Sequence, residues 1–167
     1  PKLISGEHIG SLAMSEPSAG SDVVSMKLKA EKRNDYYLLN GSKMWISNSP
    51  KADIAVVWAK DENKRIKGVI VEKDMEGFSA PKIDNKWSLR ASITGELVFD
   101  NVRVPKANIL PGVVGLKGPL SCLSSARYGI AWGTIGAALD CYDTALRYSK
   151  ERIQFGRPIA GFQLQQM

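Results

Sequence analysis

The feature that most restricts the fold is a change of regime at Pro111. From Leu116 to Arg152 no proline follows Pro119, and Trp132, Ile135, Leu139, Tyr142 and Leu146 recur at intervals of 3, 4, 3 and 4. That spacing draws one apolar stripe along a helix. The small residues Ala131, Gly133, Gly136, Ala137 and Ala138 accompany it and permit close approach of another helix. A helix of more than about 30 residues exceeds the usual three to four turns and is too long for a small neighbouring domain to cover. It predicts a helical bundle, most of which lies outside this chain. Gly156 and Pro158 stop the helix, and Gln163–Met167 begin a second one.

Residues 10–110 read differently. Val23, Met26 and Leu28 precede a charged turn at Arg33-Asn34-Asp35, and Tyr36–Leu39 run into Asn40-Gly41, a strong hairpin signal. Lys43–Asn48 is then expected as the return strand. Asp53–Lys60, Lys67–Lys73, Trp87–Ala91, Gly95–Phe99 and Val102–Val104 follow as short runs between turn signals. This spacing predicts an antiparallel β domain of two packed sheets. The fold class is α+β, with a β domain over residues 1–115 and the start of a truncated helical domain over 116–167. A length of 167 residues agrees with one domain plus part of another.

Composition excludes several chemistries. Cys122 and Cys141 fall on one helix, nineteen residues apart, or ~28 Å at the helical rise, against the ~6 Å of a disulfide. Reduced thiols fit an intracellular compartment. One histidine, His8, and two distant cysteines cannot build a zinc site. No nucleophile turn surrounds His8. The net charge of +6 is spread along the chain rather than gathered into a nucleic-acid patch. Its densest stretch, Lys64-Arg65-Ile66-Lys67, reads as solvated surface or as an attraction for a phosphate-bearing ligand. Gly112, Gly115 and Gly118 lack the spacing and βαβ context of a nucleotide loop and read as a flexible helix entry. No apolar run approaches the ~20 residues of a membrane span.

Two segments carry more. Leu12–Asp22 runs from a short strand into Glu16-Pro17 and a Ser18-Ala19-Gly20-Ser21 turn. Pro17 holds Glu16 extended. Gly20 permits close backbone approach, and Ser15, Ser18 and Ser21 offer hydroxyls, so the turn can cradle a phosphate or the edge of a heteroaromatic ring. In Lys43-Met44-Trp45-Ile46-Ser47-Asn48, an indole beside a hydroxyl can wall a flat ring and bond its edge, or the Trp can simply serve the core.

Together, Ser15-Glu16-Pro17-Ser18-Ala19-Gly20-Ser21-Asp22 and Asn40-Gly41-Ser42-Lys43-Met44-Trp45-Ile46-Ser47-Asn48 resemble the paired flavin signatures of acyl-CoA dehydrogenases. Arg152-Ile153-Gln154-Phe155-Gly156-Arg157-Pro158, followed by Gln163, is similar to that family's helix-end motif. Residues 1–41 look closer to the isovaleryl-CoA branch and 43–167 to the glutaryl-CoA branch. The isovaleryl type carries its catalytic Glu immediately before the position of Arg127, where this chain has Ala126. The glutaryl type carries its base later, expected beyond Met167, so no catalytic residue is assigned.

The resemblance implies FAD as cofactor and α,β-dehydrogenation of an acyl-CoA thioester, with hydride transfer to flavin N5. The glutaryl branch adds decarboxylation to crotonyl-CoA. It implies that Leu12, Ala13, Met14, Ser15, Glu16, Pro17, Ser18, Ala19, Gly20 and Ser21 line the isoalloxazine and ribityl chain. Trp45, Ile46 and Ser47 would cover the ring, with the Ser47 hydroxyl near N5. Ser21 would also approach the substrate, with Leu120, Ser121, Cys122, Leu123, Ser124, Ser125, Ala126 and Arg127; a buried salt bridge is the other reading of Arg127. Arg152 and Gln163 would reach the FAD of a neighbouring subunit. Implied partners are the acyl-CoA substrate, electron-transfer flavoprotein as electron acceptor and further copies of the chain in a tetramer, with no nucleic acid and no membrane span. The implied location is the mitochondrial matrix in a eukaryote or the cytoplasm in a bacterium.

Overall fold

A computed structural model describes residues 2–113 and 115–166; Pro1, Val114 and Met167 lie outside the described residues. The chain divides into two compact units, Pro1–Leu120 and Ser121–Met167. The first opens with a helical turn α1 (Lys2–Ser5) and then builds β1 (Gly10–Ala13), β2 (Lys29–Lys32), β3 (Tyr36–Ser47), β4 (Ile54–Lys60), β5 (Ile66–Glu72), β6 (Phe78–Ser79) and β7 (Thr94–Pro105).

These strands form one sheet in the order β1-β4-β2-β3-β7-β6, and β5 also pairs with β4. Leu39, Leu97, Phe99, Val102 and Val104 of β3 and β7 share a buried cluster with Ala55, Val57, Val69 and Val71 of β4 and β5. The sheet therefore curls, and its two halves pack across one core as a half-barrel. The antiparallel β domain is present. Two pairings are parallel: β1 with β4 from Gly10↔Ile54 to Ala13↔Val57, and β2 with β4 at Lys29↔Lys60.

Three sequence expectations are corrected. Asn40-Gly41 makes no hairpin: both residues lie inside the single strand β3. Their turn potential is overridden because β3 pairs with β7 on either side of them, from Tyr36↔Pro105 to Ser47↔Thr94. The Asn101 amide donates to Asn40 Oδ1 at 2.9 Å, and Gly41 takes φ +136°, where a Cβ would meet Leu28. The hairpin instead turns at Arg33-Asn34-Asp35, between β2 and β3. Gly95–Phe99 and Val102–Val104 are one strand, β7. Trp87–Ala91 is no strand; Trp87 is 95% exposed on a loop whose Lys86 ammonium donates to Leu89 O and Thr94 Oγ1.

In the second unit the dominant element is α2, which spans Lys117–Glu151, close to the predicted Leu116–Arg152. Trp132, Ile135, Leu139 and Tyr142 of the stripe are 58–66% exposed. Cys122 and Cys141 are free and exposed. Beyond α2 lie a hairpin, β8 (Ile153–Gln154) with β9 (Arg157–Pro158), and a final turn of helix α3 (Gln163–Gln166). Among the described residues no helix is long and apolar enough to cross a membrane, and no group of metal-ligating side chains is present.

Candidate functional site

The site is built on an irregularity in β3. Lys43 pairs with Leu97 and Ile46 with Gly95, so β3 carries one extra residue between them. The bulge changes which side chains face the core. Regular alternation would put Lys43 and Trp45 on the same side; here Lys43 and Ile46 point inward, while Trp45 is 60% exposed. Trp45 takes φ +63°, a left-handed conformation that is rare for a bulky side chain and costs about 1–3 kcal/mol. Bulges of this kind re-aim side chains at sites.

Beside it lies the turn that follows β1. The amides of Glu16 and Ala19 donate to each other's carbonyls at 3.0 and 3.1 Å, putting Pro17 and Ser18 at the tip. The Met44 amide donates to Ser15 O at 2.9 Å and joins the turn to the bulged strand. Thus the structure brings together the two sequence segments, Leu12–Ser21 and Trp45–Ser47. Leu12, Pro17, Ser18, Gly20, Ser21, Trp45 and Ser47 are exposed, and Met14 and Ser15 are half-buried. Ala13, Glu16, Ala19 and Ile46 are buried, so their side chains support the turn and strand from within. The hydroxyls of Ser15, Ser18, Ser21 and Ser47 have no hydrogen-bond partner among the described residues. An outward indole with a rim of free hydroxyls can take a flat ring with polar edges.

Glu16 shows why the turn is stiff. Its Oε2 accepts the Lys27 amide at 2.6 Å, and its Oε1 accepts the Leu28 amide at 3.0 Å and the Lys43 ammonium at 2.9 Å. Burial pushes the carboxyl up, but these donors outweigh it and hold the group below the ordinary carboxylate range. Burial pulls the Lys43 ammonium below its usual value, against the opposing pull of Glu16. Lys43 was not singled out from the sequence as a site residue. The signal was available: a lysine leading into the apolar run Met44-Trp45-Ile46 within a strand.

The other sequence candidates belong to other elements. Leu120 is exposed at the end of the first unit. In the second, Ser121, Cys122, Ser124, Ser125, Ala126 and Arg127 are exposed along α2 and Leu123 is half-buried. Ser125 Oγ donates to Ser121 O at 3.3 Å. Arg127 makes no ion pair with the described residues; the salt bridge expected as its other reading is absent among them. Arg152 opens the β8–β9 hairpin, its carbonyl accepting the Ile159 amide at 2.9 Å. Phe155 and Gly156 turn that hairpin at positive φ. The Arg157 guanidinium stacks 4.1 Å from the centre of the Phe162 ring, and Gln163 starts α3.

The first unit also holds a groove of about 770 Å³ lined by Lys27, Lys29, Lys32, Arg33, Lys60 and Lys64 with Glu31, Asp61 and Glu62. The basic excess gives it a field that attracts anions.

Comparison with known proteins gives a consistent family. The family model described as "Acyl-CoA dehydrogenase, middle domain" matches residues 11–102, and "Acyl-CoA dehydrogenase, C-terminal domain" matches residues 114–167. The mitochondrial isovaleryl-CoA dehydrogenase of Solanum tuberosum is 50% identical over 99% of this chain. Among solved structures, a glutaryl-CoA dehydrogenase from Mycobacterium smegmatis is 49% identical over 99% of the chain, with a TM-score of 0.95. A complex of a glutaryl-CoA dehydrogenase from that organism with FADH2 has the same TM-score at 44% identity, again over 99% of the chain. The chain spans 42% of the length of the potato relative and 43% of each bacterial one.

Proposed function

The chain belongs to the acyl-CoA dehydrogenase family, and from that premise we propose that the protein carrying it is an FAD-dependent enzyme oxidising an acyl-CoA thioester between Cα and Cβ. The observation that carries the reading is Trp45, forced outward at a left-handed φ beside a turn of unpartnered hydroxyls. These residues fit a flavin: Leu12, Met14 and Trp45 offer apolar surface to the ring, and Ser15, Ser18, Ser21 and Ser47 offer donors to its edge and ribityl chain. Bound FAD would supply the hydride acceptor. The chain's own part is to hold that group: Ala13, Glu16, Ala19 and Ile46 brace the turn and strand, and Trp45 shields one face from water.

By family resemblance, Ser21 and Leu120–Arg127 contact the acyl-CoA, while Arg152 and Gln163 serve the flavin of a neighbouring copy in a tetramer. Electron-transfer flavoprotein is the proposed electron acceptor. The lysine-lined groove supports a ligand bearing phosphates. A titration of FAD into the protein, followed by flavin reduction with acyl-CoA substrates, tests the reading. Lack of reduction by glutaryl-, isovaleryl- and butyryl-CoA alike would sink it.

The substrate branch has two supported readings. Ala126, beside Arg127 on α2, leaves the isovaleryl-type position without a carboxylate, which favours oxidative decarboxylation of glutaryl-CoA to crotonyl-CoA. The 50% identity to a plant isovaleryl-CoA dehydrogenase favours the other branch. Release of CO2 from glutaryl-CoA distinguishes them. Mitochondrial placement in a eukaryotic source is supported by the mitochondrial potato relative.

A further inference from the structure

Lys43 has a side-chain exposure of 0%, and its ammonium joins three stretches of chain. It donates to Met14 O and to Glu16 Oε1, each at 2.9 Å. Its nitrogen also lies 3.9 Å from Met26 Sδ. Glu16 in turn accepts the amides of Lys27 and Leu28. Packing alone does not require a charge here, because a methionine has a similar shape and burying an ion pair brings little net stability. What an ammonium adds is direction. Its N–H donors fix the Met14 carbonyl, and with it the plane of the Met14–Ser15 peptide, at the root of the turn. The same side chain sits two residues before Trp45, at the last paired position ahead of the bulge.

We propose that Lys43 is a positioning residue for the flavin: the Lys43–Glu16 pair locks the Leu12–Ser21 turn to the strand bearing Trp45 and makes one rigid cradle of the two. The proposal rests on the flavin reading above. Glu16 acts through its carboxylate inside the fold, and Lys43 acts through Met14 and Glu16; neither side chain is placed against the ring.

The test uses the full-length protein carrying this chain, with wild type, Lys43→Met and the charge-free double variant Lys43→Met/Glu16→Gln. Thermal melts, FAD titrations and the fluorescence of bound flavin at saturating FAD are recorded for each. The single variant, which leaves the Glu16 carboxylate buried without its cation and with only the Lys27 and Leu28 amides, is expected to melt lower. The double variant is expected to recover most of that melting temperature while still binding FAD about tenfold or more weakly. Its bound flavin is expected to fluoresce more strongly, because Trp45 is no longer held to quench it. FAD affinity that merely follows melting temperature across the three proteins would overturn the proposal, as would an unchanged bound-flavin spectrum. Failure of both variants to fold would assign the pair to folding and overturn it as well. A wild type that binds no FAD sinks the flavin reading itself and the proposal with it, a result distinct from any in the variants.

Discussion

Met44 donates its amide to the carbonyl of Ser15 at 2.9 Å, and that bond sets the turn's hydroxyls beside the next residue of the strand, Trp45. The indole is exposed and rests on a left-handed backbone, so the fold gains little from it. Trp45→Ala is expected to leave stability within about 0.5 kcal/mol of wild type. The same change should weaken FAD binding by about 0.5–1.5 kcal/mol through lost ring contact. Thermal melts and a fluorescence titration measure the two effects separately; a large fall in melting temperature would place Trp45 in the core instead.

Ser47 is exposed and its hydroxyl has no partner among the described residues. Ser47→Thr keeps the donor and is expected to retain FAD affinity and turnover. Ser47→Ala removes it and should cost about 0.5–1.5 kcal/mol in the flavin complex, read as a weaker FAD dissociation constant at unchanged melting temperature.

Gly20 offers a sharper separation of fold from function. A Cβ built there meets nothing within 4 Å, and its φ lies outside the left-handed region. Gly20→Ala should therefore be neutral to folding or stabilise it by about 0.4–1 kcal/mol through the unfolded chain. If the turn's backbone lies against the ligand, the added methyl group intrudes there and FAD affinity falls. Unchanged affinity would remove Gly20 from the contact surface.

Glu16 supplies a pH dependence. Its folded pKa lies below the ordinary 4.5, so the unfolded chain binds the proton more readily. The stability it contributes is complete above that ordinary value and is lost as pH falls through the depressed one. Melting temperature followed from pH 6 to about pH 3 should drop more in wild type than in Glu16→Gln. Parallel curves for the two proteins would show that the carboxylate is not held by Lys27, Leu28 and Lys43. Removing only the cation, as in Lys43→Met, is expected to cost about 3–5 kcal/mol because the carboxylate stays buried without it.

The parts legible in the sequence were those governed by local period. The α2 stripe has helical spacing, and the apolar runs 54–60 and 66–72 have the length of short strands. Pairing over long range was not legible. Asn40-Gly41 carries a hairpin signal in its own dipeptide, but the competing partner, β7, lies some 60 residues further on, and Asn40 bonds to Asn101. Trp87–Ala91 has strand-like residues, and no neighbouring strand pairs with them. The site shows the same division. The serines and Trp45 were visible as residue types, whereas the role of Lys43 depends on contacts 17, 27 and 29 residues away along the chain.

The exposed stripe of α2 predicts how the 167-residue chain behaves when expressed by itself. Trp132, Ile135, Leu139 and Tyr142 lie at helical spacing and are all more than half exposed. Burial of such side chains yields about 1.5–3 kcal/mol each, so four of them on one face outweigh the entropy of bringing two helices together at micromolar concentration. Ala131, Gly133, Gly136 and Ala137 beside them let another helix approach closely. Self-association through this face is therefore expected, with light scattering giving a mass above that of one chain. Ile135→Lys together with Leu139→Lys places two charges at the centre of the stripe and should return the mass to a monomer. The β domain's thermal transition should stay the same, because these residues lie outside its buried core. A wild-type chain that stays monomeric with α2 intact would refute the driving force assigned to the stripe.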